Sequence, residues 1–192
     1  MNKELIAQFL NHYLSFATVI GMAMLVLFSA YIAYAIYLQK SRDFVMLKIG
    51  HDVLEFLAKY VLPLGFLITF VGVAMSLFYS EYIGYAPCDL CWVQRIFLYP
   101  QMFMFAYAWY KKDRNVLPYV TLLSVIGFVI AVYHHMLQIG YDMYKPCSTS
   151  PFAVDCAKPL FVEYGFVTFP LMSAVLFGYI VAMVVVAKKF AK

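Results

Sequence analysis

Five stretches of this 192-residue chain contain no Asp, Glu, Lys or Arg, which strongly limits the folds available to it. They run from Leu5 to Gln39, Tyr60 to Ser80, Ile96 to Tyr110, Asn115 to Tyr141 and Tyr164 to Ala187. A hydrocarbon core about 30 Å thick requires about 20 largely apolar residues per helix. The third stretch reaches that length if Trp92 and Arg95 lie at the membrane interface. We therefore predict membrane-spanning helices at about 14–38, 60–80, 92–110, 116–138 and 164–187.

The composition supports a membrane protein built of helices. The chain is 65% hydrophobic and 12% charged, whereas soluble domains are about 45–50% apolar and about 25% charged. The first apolar run exceeds the roughly 7–15 residues of a signal-peptide core and lacks a small-residue cleavage site, so we expect a retained helix. The net charge of +4 indicates neither nucleic acid nor an acidic substrate, because basic residues of membrane proteins accumulate in cytoplasmic loops.

The basic residues between the stretches predict the orientation of the chain. One set of loops holds ten of them: Lys40, Arg42, Lys48, Lys59, Lys111, Lys112, Arg114, Lys188, Lys189 and Lys192. The opposite set holds Lys3, Lys145 and Lys158. The first set is predicted to be cytoplasmic, with the N-terminus outside and the C-terminus inside. Within the cytoplasmic connector 41–59, we consider an amphipathic surface helix carrying Val53, Leu54, Phe56 and Leu57.

All four cysteines lie in the two loops that this orientation places outside. Cys88 and Cys91 are in the first of these loops, and Cys147 and Cys156 are in the second. An even count on the oxidising side of a membrane indicates either two redox pairs or two structural disulfides. A structural Cys147–Cys156 bridge would close about ten residues and contribute less than about 3 kcal/mol. A four-cysteine zinc site is a third alternative, although the second spacing differs from the usual Cys-x2-Cys pair.

The surroundings of the first pair favour a reactive thiol. Pro87 interrupts the chain where the third span begins, so we expect Cys88 near the helix N-cap and Cys91 in the first turn. Free backbone N–H groups and the helix dipole stabilise a thiolate there. Arg95 follows Cys91 by one turn on the same face, where its charge adds to this effect. The negative charge of Asp89 is expected to oppose this stabilisation of a thiolate at Cys88. The alternative for Arg95 is a side chain that extends to the interface without a redox role.

The segment Pro87-Cys88-Asp89-Leu90-Cys91-Trp92-Val93-Gln94-Arg95, followed by Ile96-Phe97-Leu98-Tyr99-Pro100, resembles the signature of the disulfide bond formation protein B family, called DsbB or, in its shorter form, BdbC. Two further stretches are similar to that family: His134-His135-Met136-Leu137-Gln138 and Phe166-Val167-Thr168-Phe169-Pro170. The resemblance covers about residues 60–187.

The resemblance implies a four-helix transmembrane bundle that holds ubiquinone or menaquinone near the outer interface. It implies that Cys91 is the thiol next to the quinone, that Cys88 is its exposed partner and that Arg95 lies beside the quinone oxygens. Three further residues occupy positions expected to bind the cofactor: Gln94, His134 and Gln138. The alternative for the two neighbouring histidines is a structural role, with hydrogen bonds to adjacent helices.

The resemblance also implies the reaction and its partners. Cys147 would be attacked by the thiol of a DsbA-like thioredoxin-fold protein, and Cys156 would be the resolving thiol. Electrons would then reach the quinone pool of a bacterial cytoplasmic membrane, supporting disulfide formation in secreted proteins. No metal and no nucleic acid is expected to take part. The eight-residue spacing of the second pair is typical of members with a short loop.

Residues 1–59 are predicted to form a separate N-terminal unit, consisting of an extra transmembrane helix and a cytoplasmic connector, beside a bundle at 60–192. The four-span family has no counterpart of that unit that we recognise. One alternative function is a vitamin K epoxide reductase-like thiol:quinone oxidoreductase, but that family places its Cys-x-x-Cys after the loop cysteines. Another is a non-enzymatic scaffold or transporter with two structural disulfides. Arg95 is the only charged residue within a predicted span, whereas an ion or proton pathway is expected to contain several.

Overall fold

The computed structural model describes residues 3–40, 48–141 and 154–190. These residues form six α-helices: α1 (Lys3–Lys40), α2 (Lys48–Lys59), α3 (Val61–Leu77), α4 (Asp89–Lys111), α5 (Leu117–Gln138) and α6 (Phe169–Phe190). A π-helical turn, Phe78–Ile83, continues α3. Among the described residues, the β-structure is limited to an isolated bridge between Glu163 and Val167. The prediction of an all-α membrane protein is confirmed.

Four helices in the described part of the chain are long and apolar enough to cross a membrane. They are α1, α3 with its π-helical turn, α5 and α6. The 23 residues of α4 extend about 35 Å, which is also sufficient, but its sequence is more polar. Gln94, Arg95 and Gln101 account for much of this difference, and Gln94 and Gln101 are buried against the other helices. The arrangement of five spans with the N-terminus outside stays a prediction.

The helices α3, α4, α5 and α6 form a closed bundle. Each packs against the next along the chain, and α3 also packs against α6. The bundle centre is filled by large buried side chains, including Phe105 of α4 and Phe177 of α6. Gly127 of α5 leaves room for Phe177, since a Cβ atom at that position would lie 2.5 Å from the Phe177 ring. The bundle therefore depends on a close approach of α5 and α6.

The helices α1 and α2 pack on the outside of this bundle, and both contact α6. The predicted amphipathic connector is present as α2, but only one side of it faces the protein. Leu54 is buried and Leu57 is partly buried, whereas Val53 and Phe56 are 51% and 56% exposed. The exposed pair is suitably placed to contact the membrane surface.

The predicted start of the first helix was too late. The helix α1 begins at Lys3 instead of near residue 14, because its first turns also pack against the protein. Ala7 and Asn11 are buried there. The Tyr79 hydroxyl donates a 2.7 Å hydrogen bond to Oδ1 of Asn11, which joins this end of α1 to the π-helical turn.

The predicted start of the last helix was too early. The helix α6 begins at Phe169 instead of near residue 164. Tyr164 and Gly165 have φ angles of 52° and 80°, which interrupt a right-handed helix. The Val167 N–H donates a 2.8 Å hydrogen bond to the Glu163 carbonyl and closes a tight turn. The N-terminal end of α6 is therefore preceded by a compact turn.

The predicted orientation can be tested by cysteine labelling in intact cells. In a variant without native cysteines, a cysteine at Lys158 is expected to react with a membrane-impermeant maleimide, and a cysteine at Asn115 is expected to be protected. Both native side chains are exposed, so burial does not explain a difference between them. Permeabilised cells provide the control, because both positions should then react. Labelling of Asn115→Cys from outside would refute the assigned topology.

Candidate redox site

The backbone between α3 and α4 places the first cysteine pair at a helix N-terminus. The π-helical turn ends at Gly84, whose φ of 93° reverses the chain direction at no steric cost to a side chain. An extended segment containing Pro87 then leads to Cys88, which is the N-cap of α4. Cys91 lies in the first turn of α4, as predicted. The Trp92 N–H donates a 3.1 Å hydrogen bond to the Cys88 carbonyl and closes that turn.

Cys88 and Cys91 are free thiols whose Sγ atoms lie 3.0 Å apart. Cys88 is 5% exposed, whereas Cys91 is partly exposed. The expectation that Cys88 is the exposed member of the pair is wrong. Cys88 is covered because it packs in one buried cluster with Leu137 of α5 and with Cys156, which lies in the second cysteine-bearing loop. The two cysteine-bearing loops therefore meet at Cys88.

The surroundings of Cys88, which precedes α4, stabilise its thiolate. A hydrogen bond from the Cys91 thiol is the largest cause and lowers the pKa of Cys88 well below its usual value, to about 4. Hydrogen bonding and charge from His134 lower this pKa further, whereas burial raises it. A group with a lowered pKa is ionised above that pKa. Cys88 is therefore expected to be a thiolate at neutral pH and to lose its charge only as the pH falls towards 4.

His134 connects Cys88 with the second cysteine loop. Its ring is fully buried, and its Nε2 atom lies 3.6 Å from Cys88 Sγ and 3.1 Å from the Cys156 carbonyl oxygen. The side-chain amide nitrogen of Gln94 lies 2.9 Å from Nδ1 of the same ring. The Gln138 amide lies 3.2 Å from Nε2 and 3.4 Å from the same carbonyl. His134 and Gln138 thus hold the Cys156 backbone beside Cys88, and Gln94 holds the His134 ring.

Cys156 is disulfide-bonded. Its predicted partner, Cys147, lies outside the described residues. The neighbouring His135 is also buried, and its Nδ1 atom lies 2.9 Å from the Thr168 hydroxyl just before α6. For His135, this arrangement agrees with a structural role.

A cavity of about 660 Å³ lies on the other side of the Cys88–Cys91 pair, between α1, α3, α4 and α6. Polar groups from Cys91, Gln94, Arg95, Ser76 and Tyr79 line one part of it. Leucine, isoleucine and valine side chains line the remainder: Leu67, Ile68, Val71, Leu98, Val175 and Leu176. The cavity thus has a polar part next to a thiol and an apolar part within the bundle.

Arg95 lies at the wall of this cavity. Its Nη2 atom donates a 3.2 Å hydrogen bond to the Ser76 carbonyl, and its guanidinium carbon lies 5.0 Å from the centre of the Trp92 ring. The Tyr99 hydroxyl donates a 3.3 Å hydrogen bond to Ser76 Oγ, which fixes the same part of α3. The positive charge of Arg95 therefore lies at the cavity wall, one turn beyond Cys91 in α4.

The residues predicted to bind a cofactor separate into two groups. Gln94 and Arg95 line the cavity, and Gln94 also contacts His134. His134 and Gln138 lie behind Cys88, where they contact the second cysteine loop. Ser76 and Tyr79 line the cavity but were not singled out in the sequence, because a single small or aromatic residue in an apolar run carries no recognisable signal.

The residues that could bind a metal ion in the structure differ from those considered in the sequence. Among the described residues, the group whose donor atoms could hold an ion consists of Cys88, Cys91 and His134, with these atoms within 4.8 Å of one another. This group differs from the four-cysteine site considered from the sequence, because a histidine replaces the second cysteine pair.

Comparison with known proteins agrees with this geometry. The family model described as disulfide bond formation protein DsbB matches residues 58–187, which include α3, α4, α5 and most of α6. The chain belongs to the DsbB family. It is therefore a membrane disulfide-formation protein with the oxidoreductase character that this name implies, which favours this family over the vitamin K epoxide reductase-like alternative.

Several curated relatives show the same similarity. The SPbeta prophage-derived disulfide bond formation protein B of Bacillus subtilis is 46% identical over 116 residues, 60% of this chain and 76% of that protein. A probable disulfide formation protein of Chlamydia trachomatis is 35% identical over 136 residues, 71% of this chain and 98% of that protein. Disulfide bond formation protein C of Bacillus subtilis is 30% identical over 126 residues, 65% of this chain and 89% of that protein. No solved structure matches the chain.

Proposed function

We propose that this DsbB family member oxidises the dithiol of a soluble thioredoxin-fold protein outside a bacterial cytoplasmic membrane and passes the electrons to a membrane quinone. One observation carries the proposal. The Cys88–Cys91 pair lies between two environments, since Cys88 packs against Cys156 and Cys91 lines the cavity. A pair in this position can receive electrons from the outer loop and release them into the membrane.

The reaction begins at the second cysteine pair. The thiolate of the soluble partner attacks Cys147 of the Cys147–Cys156 disulfide, forming a mixed disulfide and releasing the Cys156 thiolate. That thiolate then attacks Cys88 of an oxidised Cys88–Cys91 pair, forming a Cys88–Cys156 disulfide and releasing the Cys91 thiolate. The buried cluster that contains both Cys88 and Cys156 supports this step, because it holds the two residues in the same part of the protein.

The second thiol of the partner completes the exchange. It attacks the mixed disulfide, leaves as an oxidised protein and releases the Cys147 thiolate. Cys147 then attacks Cys156, which restores the outer disulfide and releases the Cys88 thiolate. Two electrons now reside on Cys88 and Cys91, and the low pKa of Cys88 makes its thiolate a good leaving group in this last exchange.

The cavity residues fit a quinone. The volume of about 660 Å³ lies within the range of about 300–1,000 Å³ typical of ligand sites. The polar part offers the Arg95 guanidinium and the Gln94 amide to carbonyl oxygens, and the apolar part suits a prenyl tail. A bound quinone would accept two electrons and two protons as the Cys88–Cys91 disulfide forms again. Arg95 places a fixed positive charge at the cavity wall, one turn from Cys91.

A terminal acceptor of this kind is also required by the energetics. Moving two electrons against a potential difference costs about 1.4 kcal/mol for each 30 mV. A strongly oxidising thioredoxin-fold partner therefore cannot be reoxidised downhill by ordinary dithiols alone. The proposal is tested by incubating the purified protein with a reduced thioredoxin-fold oxidase and decyl-ubiquinone. Catalytic oxidation of the dithiol that depends on the quinone is expected, and continuous turnover without quinone would contradict the proposal.

Replacing Arg95 is expected to weaken quinone use selectively. Arg95→Gln removes a fixed charge from the cavity wall, and a charged hydrogen bond contributes about 1.5–3 kcal/mol, so the KM for decyl-ubiquinone should rise about 10- to 100-fold. Stoichiometric thiol exchange without quinone should change little. Steady-state and quinone-free assays on the same preparation measure the two effects separately.

Arg114→Gln provides a matched control for this prediction. Arg114 Nη2 donates a 3.1 Å hydrogen bond to the Ala58 carbonyl, so the same kind of arginine–carbonyl contact is lost away from the cavity. The control should leave the quinone KM unchanged, and Arg95→Lys should recover part of the loss because it keeps the charge. If Arg95→Gln slowed quinone reduction and thiol exchange equally, Arg95 would be structural.

A further inference from the structure

One wall of the cavity comes from outside the family-matched segment. The helix α1 precedes residues 58–187 in the chain, yet four of its residues line the cavity beside Cys91 and Arg95. They are Leu14, Ala17, Thr18 and Gly21. Their spacing of three, four and seven residues from the first places them on one helix face over two turns. This face of α1 extends about 10 Å along the cavity.

Specific contacts hold this face in position. The Tyr179 hydroxyl donates a 2.8 Å hydrogen bond to the Gly21 carbonyl, joining α1 to α6. One turn beyond Gly21, Leu25 packs onto Gly178 of α6, where a Cβ atom would lie 2.7 Å from it. Near the other end of the face, Tyr79 is hydrogen-bonded to Asn11 within the protein. Tyr79 and Tyr179 also line the cavity, so the residues that attach α1 belong to the cavity wall.

The α1 face leaves space instead of filling it. Ala17 is exposed although it faces the bundle, while Asn11 and Ser15 on the same helix are buried. On the opposite side of the cavity, Leu67 and Val71 of α3 are 55% and 50% exposed. The methyl group of Ala17 and the backbone at Gly21 thus line the cavity together with an apolar surface of α3. An apolar ligand between them would be in contact with α1 and α3 together.

We propose that α1 forms one wall of the quinone site, which contacts the quinone and its apolar tail and separates them from the surrounding lipid. This inference rests on the proposed function. Without α1, the side of the cavity between α3 and α6 would be bounded by lipid, because the matched segment supplies only the other walls. The size of residue 17 then determines how well the quinone binds.

Ala17→Phe in the full-length protein tests this inference. The larger side chain projects into the cavity, so the Kd for decyl-ubiquinone should rise at least about ten-fold. The Kd is measured without turnover, from the quenching of tryptophan fluorescence, since Trp92 lies next to Arg95. Ala23→Phe is the matched control, because Ala23 is exposed on the same helix and does not line the cavity. Its Kd should remain within about two-fold of the original value.

A second variant controls for the possibility that Ala17→Phe raises the Kd through misfolding. Leu14→Ala removes apolar contact from the same wall without adding bulk, and it should raise the Kd about three- to ten-fold. Thermal unfolding and quinone-free thiol exchange should be unchanged in both wall variants, which shows that they are folded. Unchanged quinone affinity in folded Ala17→Phe and Leu14→Ala would overturn the role of α1 and leave the proposed function standing. Absence of quinone binding by the original protein would overturn both.

Discussion

Cys91→Ser is expected to abolish quinone-linked turnover, with a loss of at least about 1,000-fold, while the outer pair still reacts once. Without Cys91, Cys88 cannot form the disulfide that receives electrons from Cys156. The Cys147–Cys156 disulfide can therefore oxidise one equivalent of the soluble dithiol and is not regenerated. The number of dithiol equivalents oxidised per protein, in excess decyl-ubiquinone, measures this directly. About one equivalent is expected for the variant and continuous oxidation for the original protein.

The Cys91→Ser substitution removes the sulfur atom and changes little else at the site. A serine hydroxyl can still donate a hydrogen bond to Cys88, so the Cys88 thiolate keeps its principal stabilising contact. The cavity is also retained, and quinone binding measured by tryptophan fluorescence should be nearly unchanged. Cys88→Ser should give the same single round of oxidation. Continuous quinone-dependent oxidation by Cys91→Ser would show that electrons leave by a route that excludes this pair.

The sequence was sufficient to predict features that depend on neighbouring residues. The absence of charge over about 20 residues is a property of each segment alone. Four apolar helices and α4 overlap the segments that it indicated, although α1 begins earlier and α6 begins later than predicted. Pro87 likewise limited where α4 could begin, and Cys88 is its N-cap. The family was identified from the segment around Cys91, and the family model matches residues 58–187.

Features that depend on distant residues were not predictable in the same way. Cys88 is buried because Leu137 and Cys156, which follow it by more than 45 positions, pack over it. No pattern around Cys88 carries that information. The same applies to His134, whose position suggested the cofactor pocket but whose ring lies between Cys88 and the Cys156 carbonyl. The turn before α6 depends on a backbone bridge at Glu163 that hydropathy does not detect.

The face of α1 that lines the cavity is a further feature that depends on contacts with distant residues. Its residues are small or aliphatic, and they differ little in the sequence from those facing lipid elsewhere on the same helix. Only the docking of Gly21 and Asn11 against tyrosines of other elements defines which face is internal. Assigning a function to the extra helix therefore required its packing, and apolar composition alone predicted only that it spans the membrane.

Cys156→Ser is expected to trap the soluble partner on this protein, which distinguishes a redox relay from a scaffold with two structural disulfides. In the variant, the free Cys147 thiolate attacks the disulfide of an oxidised partner molecule, so one S–S bond breaks and a mixed disulfide forms. No second loop thiol is present to displace the partner from Cys147. A heavier species containing both proteins should accumulate in cells and disappear on treatment with a reductant, as seen by immunoblotting after alkylation of free thiols.

The double variant Cys147→Ser/Cys156→Ser is the matched control, because it lacks the same outer disulfide but has no thiol to form the mixed species. A scaffold makes the opposite prediction. Both variants would then lose only folding stability, on the order of 2–4 kcal/mol for one disulfide, and neither would capture a partner. Because Cys156 packs against Cys88, its removal also interrupts the transfer between the pairs, so secreted proteins should accumulate reduced. Normal levels of the Cys156→Ser protein, with no mixed disulfide and undiminished oxidation of secreted proteins, would exclude the relay.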